Sequence, residues 1–199
     1  MKRLKAIALV MLLLGVSSLG YANDIYVEQV GSSSTVSITQ QGTGNAVGDS
    51  SDSIYIGGGS NTVDIQQIGD NNTLAMVVNG SSADTTVITN GSGNIQTINC
   101  GTTVSAGCSG STITQTVTGD DNIVTQNLGA GANHTSNITV TGDTNTITHT
   151  SSSTGTTTMN ATVTGNLNTV GVTQSGMTTQ NVTINSTGNS NTITVNQSN

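Results

Sequence analysis

The sequence predicts an all-β fold, a β-solenoid of about 7.5 two-strand coils with 22–23 residues per coil. Three observations predict it: a returning G-x-x-N turn signature, alternation of aliphatic and polar residues between turns, and the absence of Phe, Trp and Pro. The signature stands at Gly42–Asn45, Gly69–Asn72, Gly91–Asn94, Gly119–Asn122, Gly142–Asn145, Gly165–Asn168 and Gly188–Asn191. An eighth copy, Gly58–Asn61, lies 11 residues before Gly69, half a repeat away. A fixed period in the twenties marks a repeat architecture. Between the turns, runs such as Val63-Asp64-Ile65 and Leu74-Ala75-Met76 alternate, and side chains alternate across a strand. Each strand therefore has one dry face and one wet face. Without large aromatics no single bulky core is available, and stacking of similar units is the way such strands bury their dry faces.

Taken in order, the chain opens with Lys2, Arg3 and Lys5, an apolar run from Ala6 to Val16, and the small-residue site Gly20-Tyr21-Ala22. That pattern reads residues 1–22 as a secretory signal peptide with Asn23 as the new N-terminus, and its apolar run is too short to span a bilayer. Residues 23–199 then form one repeat domain, secreted through the Sec route, with no later membrane span. All three Lys and Arg residues sit in the leader, so the ten carboxylates, Asp24, Glu28 and Asp70 among them, stand unbalanced in the remainder. Nucleic acid is excluded as a partner for want of cations to meet phosphate, and anionic lipid is disfavoured for the same reason. Like-charged surfaces repel, so self-association should strengthen as salt rises or as Asp protonates.

Aligned by first residue, strands start at Asn23, Ser34, Asn45, Asn61, Asn72, Ala83, Asn94, Ser111, Asn122, His134, Asn145, Thr157, Asn168, Gln180 and Asn191. Steps are 11 or 12 residues except for one of 16 and one of 17, which mark insertions near 50–59, carrying Ile54, Tyr55 and Ile56, and near 101–110. Cys100 and Cys108, the only cysteines, read as one local disulfide in an exported protein. Third and fifth strand residues are mostly aliphatic, as in Ile25/Val27, Val170/Val172 and Ile193/Val195. The arc glycines Gly42, Gly69, Gly91, Gly119, Gly142, Gly165 and Gly188 supply the backbone freedom a tight arc needs. An Asn at a strand start faces inward and stacks on its equivalents as an amide ladder, with Asn45, Asn61, Asn72, Asn94, Asn122, Asn145, Asn168 and Asn191 as rungs.

At this point the sequence resembles the curlin repeats of curli fibre subunits, which run S/N-x5-Q-x4-N-x5-Q with glycine-rich arcs. Asn23-x5-Gln29-x4-Ser34-x5-Gln40-x4-Asn45 has that spacing, as do Asn61-x5-Gln67-x4-Asn72, Asn168-x5-Gln174 and Asn191-x5-Gln197. The resemblance implies that Gln29, Ser34, Gln40, Gln67, Gln174 and Gln197 join the Asn positions in internal ladders that template growth of an amyloid fibre. It also implies an extracellular, cell-surface role in adhesion and biofilm. The partners it implies are other copies or curlin-like subunits end to end, with outer-membrane export and assembly factors. The chain departs from the pattern in several ways. Gln fills the seventh position in five of fifteen strands, and Val117, Val140 and Val163 stand there elsewhere. Neither insertion nor the disulfide belongs to the pattern, and repeats begin almost at the cleavage site. The chain reads as a divergent member rather than the main subunit.

No enzyme is expected: no G-x-S-x-G elbow occurs, and the domain has no Lys or Arg to stabilise an oxyanion. His134 and His149 read as tolerated polar residues on the repeat surface. Arc residues Asp70, Asp120, Asp121 and Asp143 lack the G-G-x-G-x-D of calcium-binding repeats, so neither metal nor cofactor is expected. A rival reading rests on outward threonines, Thr146/Thr148, Thr169/Thr173 and Thr192/Thr194 with Thr125 one coil earlier. Flat T-x-T arrays resemble those of ice-binding solenoids. Interruption at Asn127 and Gly171, and the ordinary preference of Thr for exposed strands, weigh against it.

Overall fold

Short strands joined by tight arcs can satisfy their backbone groups only by pairing with equivalents one coil away. The computed structural model describes residues 22–102, 107–129 and 133–199. Apart from Ala22, the expected signal peptide lies outside the described residues. Strands run β1 (Asp24–Ile25), β2 (Val27–Ser32), β3 (Thr35–Gln41), β4 (Ala46–Val47), β5 (Ile54–Gly59), β6 (Thr62–Ile68), β7 (Thr73–Asn79), β8 (Asp84–Asn90) and β9 (Ile95–Cys100). They continue as β10 (Thr112–Thr118), β11 (Ile123–Leu128), β12 (His134–Thr141), β13 (Thr146–Ser151), β14 (Thr157–Thr164), β15 (Thr169–Ser175), β16 (Gln180–Thr187) and β17 (Thr192–Ser198). The described residues contain no helix.

The fold is a β-solenoid of two wholly parallel sheets. Sheet A runs β1-β4-β7-β9-β11-β13-β15-β17, with β2 and β5 extending its first two rows, and sheet B runs β3-β6-β8-β10-β12-β14-β16. Sheet A therefore has eight rows (ten strands less the two extensions) and sheet B seven. Inward aliphatics from the two sheets meet between them, Val63, Ile65, Leu74, Ile98 and Ile113 in the first half and Val124, Ile138, Ile147, Met159 and Val170 in the second. Small β-branched side chains suit this interior, because each packs against its equivalents above and below at a spacing the backbone sets.

The first insertion is narrower than the sequence suggests. Val27 pairs with Ile54 and Gln29 with Ile56, so Ile54, Tyr55 and Ile56 complete the row that β4 begins. The Ile54 N–H donates to Tyr26 O (2.9 Å), and the Gly48 N–H to Leu74 O (2.8 Å), carrying the ladder around the extra residues. Those residues are 49–53, closed by Asp49 Oδ1 accepting the N–H groups of Ser51 and Asp52, both at 2.7 Å. These bonds favour the ionised carboxyl, with Ser51 as the main contributor, and lower the Asp49 pKa. At the second insertion Cys100 and Cys108 are bonded, with Cα atoms 5.3 Å apart. Gly107 and Cys108 N–H groups donate to Asn79 O (2.7 and 3.1 Å), returning the chain to the arc.

Candidate functional site: a buried asparagine ladder

Every row of sheet A starts with Asn: Asn23, Asn45, Asn72, Asn94, Asn122, Asn145, Asn168 and Asn191. An arc residue with positive φ, such as Asn71 (57°) or Asp121 (55°), immediately precedes several of them and turns the chain inward. From Asn45 to Asn168 these side chains are buried. Each carboxamide oxygen accepts two N–H groups from the next row. Asn122 Oδ1 takes the Asn145 backbone N–H (2.9 Å) and Asn145 Nδ2 (3.0 Å). Asn94 Oδ1 takes the same pair from Asn122 (3.0 and 3.1 Å). The second Nδ2 proton goes to an arc carbonyl one row on: Asn72 to Gly91 O (2.7 Å), Asn94 to Gly119 O and Asn122 to Gly142 O (both 2.8 Å). An amide has two donors and two acceptor sites, and Asn72, Asn94 and Asn122 use all four. The side chain thus acts as an extra backbone unit tying strand start to arc.

The arc glycines hold that geometry. A Cβ on Gly69 (φ +114°) would lie 2.0 Å from Gly91 O, and one on Gly119 (φ +115°) 2.2 Å from Gly142 O. The arc position after each glycine forms a second, exposed ladder. Thr43, Ser92, Asp120 and Asp143 N–H groups donate to Asp70, Asp120, Asp143 and Asn166 Oδ1 of the following row, at 2.7, 2.7, 2.9 and 2.8 Å. The Asp70, Asp120 and Asp143 carboxylates are thus engaged with backbone. Among the described residues no group of three His, Cys, Asp or Glu is placed to hold a metal ion.

Other sequence-expected residues divide differently. Asn61 and Ser34 start rows of sheet B, in a column that continues through Ala83, Ser111, His134, Thr157 and Gln180. Asn61 there donates to Gly57 O (2.9 Å) and Gly80 O (3.0 Å), and its own N–H goes to Ser34 Oγ (3.2 Å). Glutamine does not make a continuous ladder. Gln40 Nε2 donates to Gln67 Oε1 (2.8 Å) in sheet B, and Gln174 Nε2 to Gln197 Oε1 (3.2 Å) in sheet A. Gln29 faces Ile56 in the next row. Between these ends, polar residues at other inward positions form a seam that crosses the core. Gln126 Nε2 donates to Gln115 Oε1 (2.8 Å), Gln115 Nε2 to Gln96 Oε1 (2.6 Å), and Gln96 Nε2 to Thr89 Oγ1.

His134 and His149 correct the surface reading, for both are buried. Their odd-numbered strand positions point inward. His149 Nδ1 meets Ser136 Oγ (3.2 Å) and its Nε2 meets Gln174 Oε1 (2.9 Å), while His134 Nδ1 meets Thr157 Oγ1 (2.6 Å). Burial lowers the pKa of both. It takes His149 down to about 4, with the bond to Gln174 opposing and His134 assisting, and at His134 the Gly129 backbone opposes it. A histidine that resists protonation only when folded stabilises fully above its unfolded pKa of about 6.5. That stability is lost as pH falls toward about 4 and is constant below. Urea titrations should therefore show roughly 3 kcal/mol lost over that window, and His149→Gln should flatten the profile.

The outer face of sheet A carries the expected threonines, with Thr146, Thr169 and Thr192 in one column, and the expected interruption. In sheet A, Thr125 and Thr148 align, then Gly171 interrupts before Thr194, and Ile95 lies beside Ile123. The fuller array is on sheet B, where Thr116, Thr139 and Thr162 form one column and Thr118, Thr141, Thr164 and Thr187 another.

A parallel solenoid whose rows are tied by a buried amide ladder defines a class of stacking repeat protein. The model of the curlin associated repeat matches residues 19–42, the segment that includes β1 to β3, so this part of the chain is similar to a curlin repeat. No curated protein and no solved structure matches the chain.

Proposed function

We propose that the chain is a secreted, self-assembling structural protein, a curli-like fibre subunit or fibre-associated component in cell adhesion and biofilm matrix. Its role is structural rather than enzymatic, in keeping with the curlin-repeat match. The reading is carried by the two ends of the stack. Among the described residues β16 and β17 pair on one side only, as do β3 and the row of β1 and β2. Such edges present free N–H and C=O groups and half of each side-chain column, a template for another copy. Inward residues there are half-buried, as at Ile193, Val195 and Gln197, whereas Val172 and Gln174 one row inside are buried. The ladder residues, Asn45 through Asn191 in sheet A and Ser34 and Asn61 in sheet B, with the terminal glutamines, are the proposed templating groups. Residues 1–22 are the proposed export signal, with export and assembly factors as transient partners.

A thioflavin-T time course on the purified chain tests this. A sigmoidal rise, abolished lag on seeding and a meridional reflection at about 4.7–4.8 Å are expected, and the lag should shorten with added salt. Persistent monomer with β-rich circular dichroism would sink the proposal.

The sheet B array favours a second use, contact with ice. Threonines there repeat at about 4.8 Å across strands and about 6.7 Å along them, without a charge at β10, β12, β14 or β16. Thermal hysteresis by the monomer, lost on Thr139→Lys, would mark that use.

A further inference from the structure

Among the described residues the stack has an odd number of rows, eight in sheet A and seven in sheet B, so its final rows, β17 and β16, are half a coil apart in height. This parity constrains how a second copy can add, given the end-to-end assembly proposed above. A copy added in the same orientation would seat its β1 and β2 row on β17. Its β3 would then stand two steps above β16, leaving a strand-wide gap of about 4.8 Å in sheet B with unpaired backbone on both sides. Turned by half a revolution about the long axis, the incoming copy seats its β1 and β2 row on β16 and its β3 on β17. Strand direction and inward faces are preserved, and no space is left.

We infer that copies join head to tail with a half-turn, so that sheet A of each copy continues as sheet B of the next. The residues at the ends agree. Sheet B carries a glutamine pair only in its first two rows, Gln40 and Gln67, and sheet A carries one only in its last two, Gln174 and Gln197. The half-turn places Gln197 on Gln40 and joins the pairs into one ladder of four. It sets Ile193 over Val36 and Val195 over Ile38, and it offers the Ser34 N–H to Asn191 Oδ1. Same-orientation stacking would also match side chains in sheet A, with Asn191 on Asn23 and Gln197 on Gln29. The gap in sheet B decides between the two, because a buried unpaired backbone group costs about as much as a lost hydrogen bond, and a whole strand of them is at stake.

Paired cysteines distinguish the registers. Asn196, Thr39 and Glu28 occupy equivalent outward positions of their rows and are all exposed. Parallel in-register neighbours are close enough for a disulfide. Asn196→Cys lies at the opposite end of the molecule from either partner, so any new bond joins two copies, and the native pair Cys100–Cys108 is already closed. Under mild oxidation of fibres, the Asn196→Cys/Thr39→Cys chain should give a covalent ladder of oligomers on a non-reducing gel. The Asn196→Cys/Glu28→Cys chain should remain monomeric. Cross-linking of the second pair, or of neither, in well-formed fibres overturns the half-turn while leaving assembly intact. Failure of the unsubstituted chain to form fibres removes the assembly reading and the half-turn with it.

Discussion

Replacing Asn122 by Leu is expected to destabilise the solenoid by about 4 kcal/mol, lowering its melting temperature on the order of 10 °C. Leu keeps the volume but removes every polar partner. The Asn145 backbone N–H and Asn145 Nδ2 both donate to Asn122 Oδ1, and Gly142 O and Asn94 Oδ1 both accept from Asn122 Nδ2. Asn122 and its neighbours Asn94 and Asn145 are buried, so water cannot replace what is lost. An orphaned buried polar group costs about 1–3 kcal/mol, and several are created here in one place. Asn99→Leu is the control. Asn99 Nδ2 donates to Asn127 Oδ1 at 2.9 Å, but on the outer face of sheet A where solvent substitutes, so less than about 0.5 kcal/mol is expected. Urea midpoints at constant slope would measure both. Equal effects at the two sites would mean that the inner ladder contributes no more than an exposed amide pair.

The architecture could be read from the chain because a solenoid is nearly one-dimensional. Alternation gives the inward face, G-x-x-N gives the arc, and the period gives the pairing partner, each from neighbours close in sequence. The sheet A ladder follows from those three rules. What escaped needed row-to-row register. Asn61 follows the same G-x-x-N signature as Asn72, yet it starts a row of the opposite sheet. Ile54-Tyr55-Ile56 looked like inserted sequence, although pairing with Val27 to Gln29 makes it the end of a row. The sheet B threonines are spread over four strands at intervals that no single window reveals. His149 was legible in principle, since its odd position in the strand already pointed inward. The misleading signal was chemical: a histidine in a core of Val and Ile is costly unless partners such as Ser136 and Gln174 are supplied from other rows.

The glycine column separates folding from assembly. Gly119→Ala is expected to abolish the native stack or lower its melting temperature by well over 10 °C. Its Cβ would sit 2.2 Å from Gly142 O and 2.7 Å from the adjoining carbon, both backbone atoms that cannot move without opening the coil. The positive φ of +115° adds about 1–3 kcal/mol of backbone strain for any other residue. Gly188→Ala carries the same strain at φ +106°, but its Cβ would meet only Asn191 Nδ2, at 3.6 Å, since among the described residues no row lies above it. That variant should fold, with a melting temperature lower by several degrees. In the fibre, however, the next copy brings its own arc against Gly188, and the added methyl then meets a carbonyl as it would at Gly119. Seeded elongation by Gly188→Ala should fall at least tenfold while its circular dichroism stays native. If elongation is unimpaired, the Gly188 arc is not part of the joint between copies, and head-to-tail addition onto β16 and β17 is ruled out.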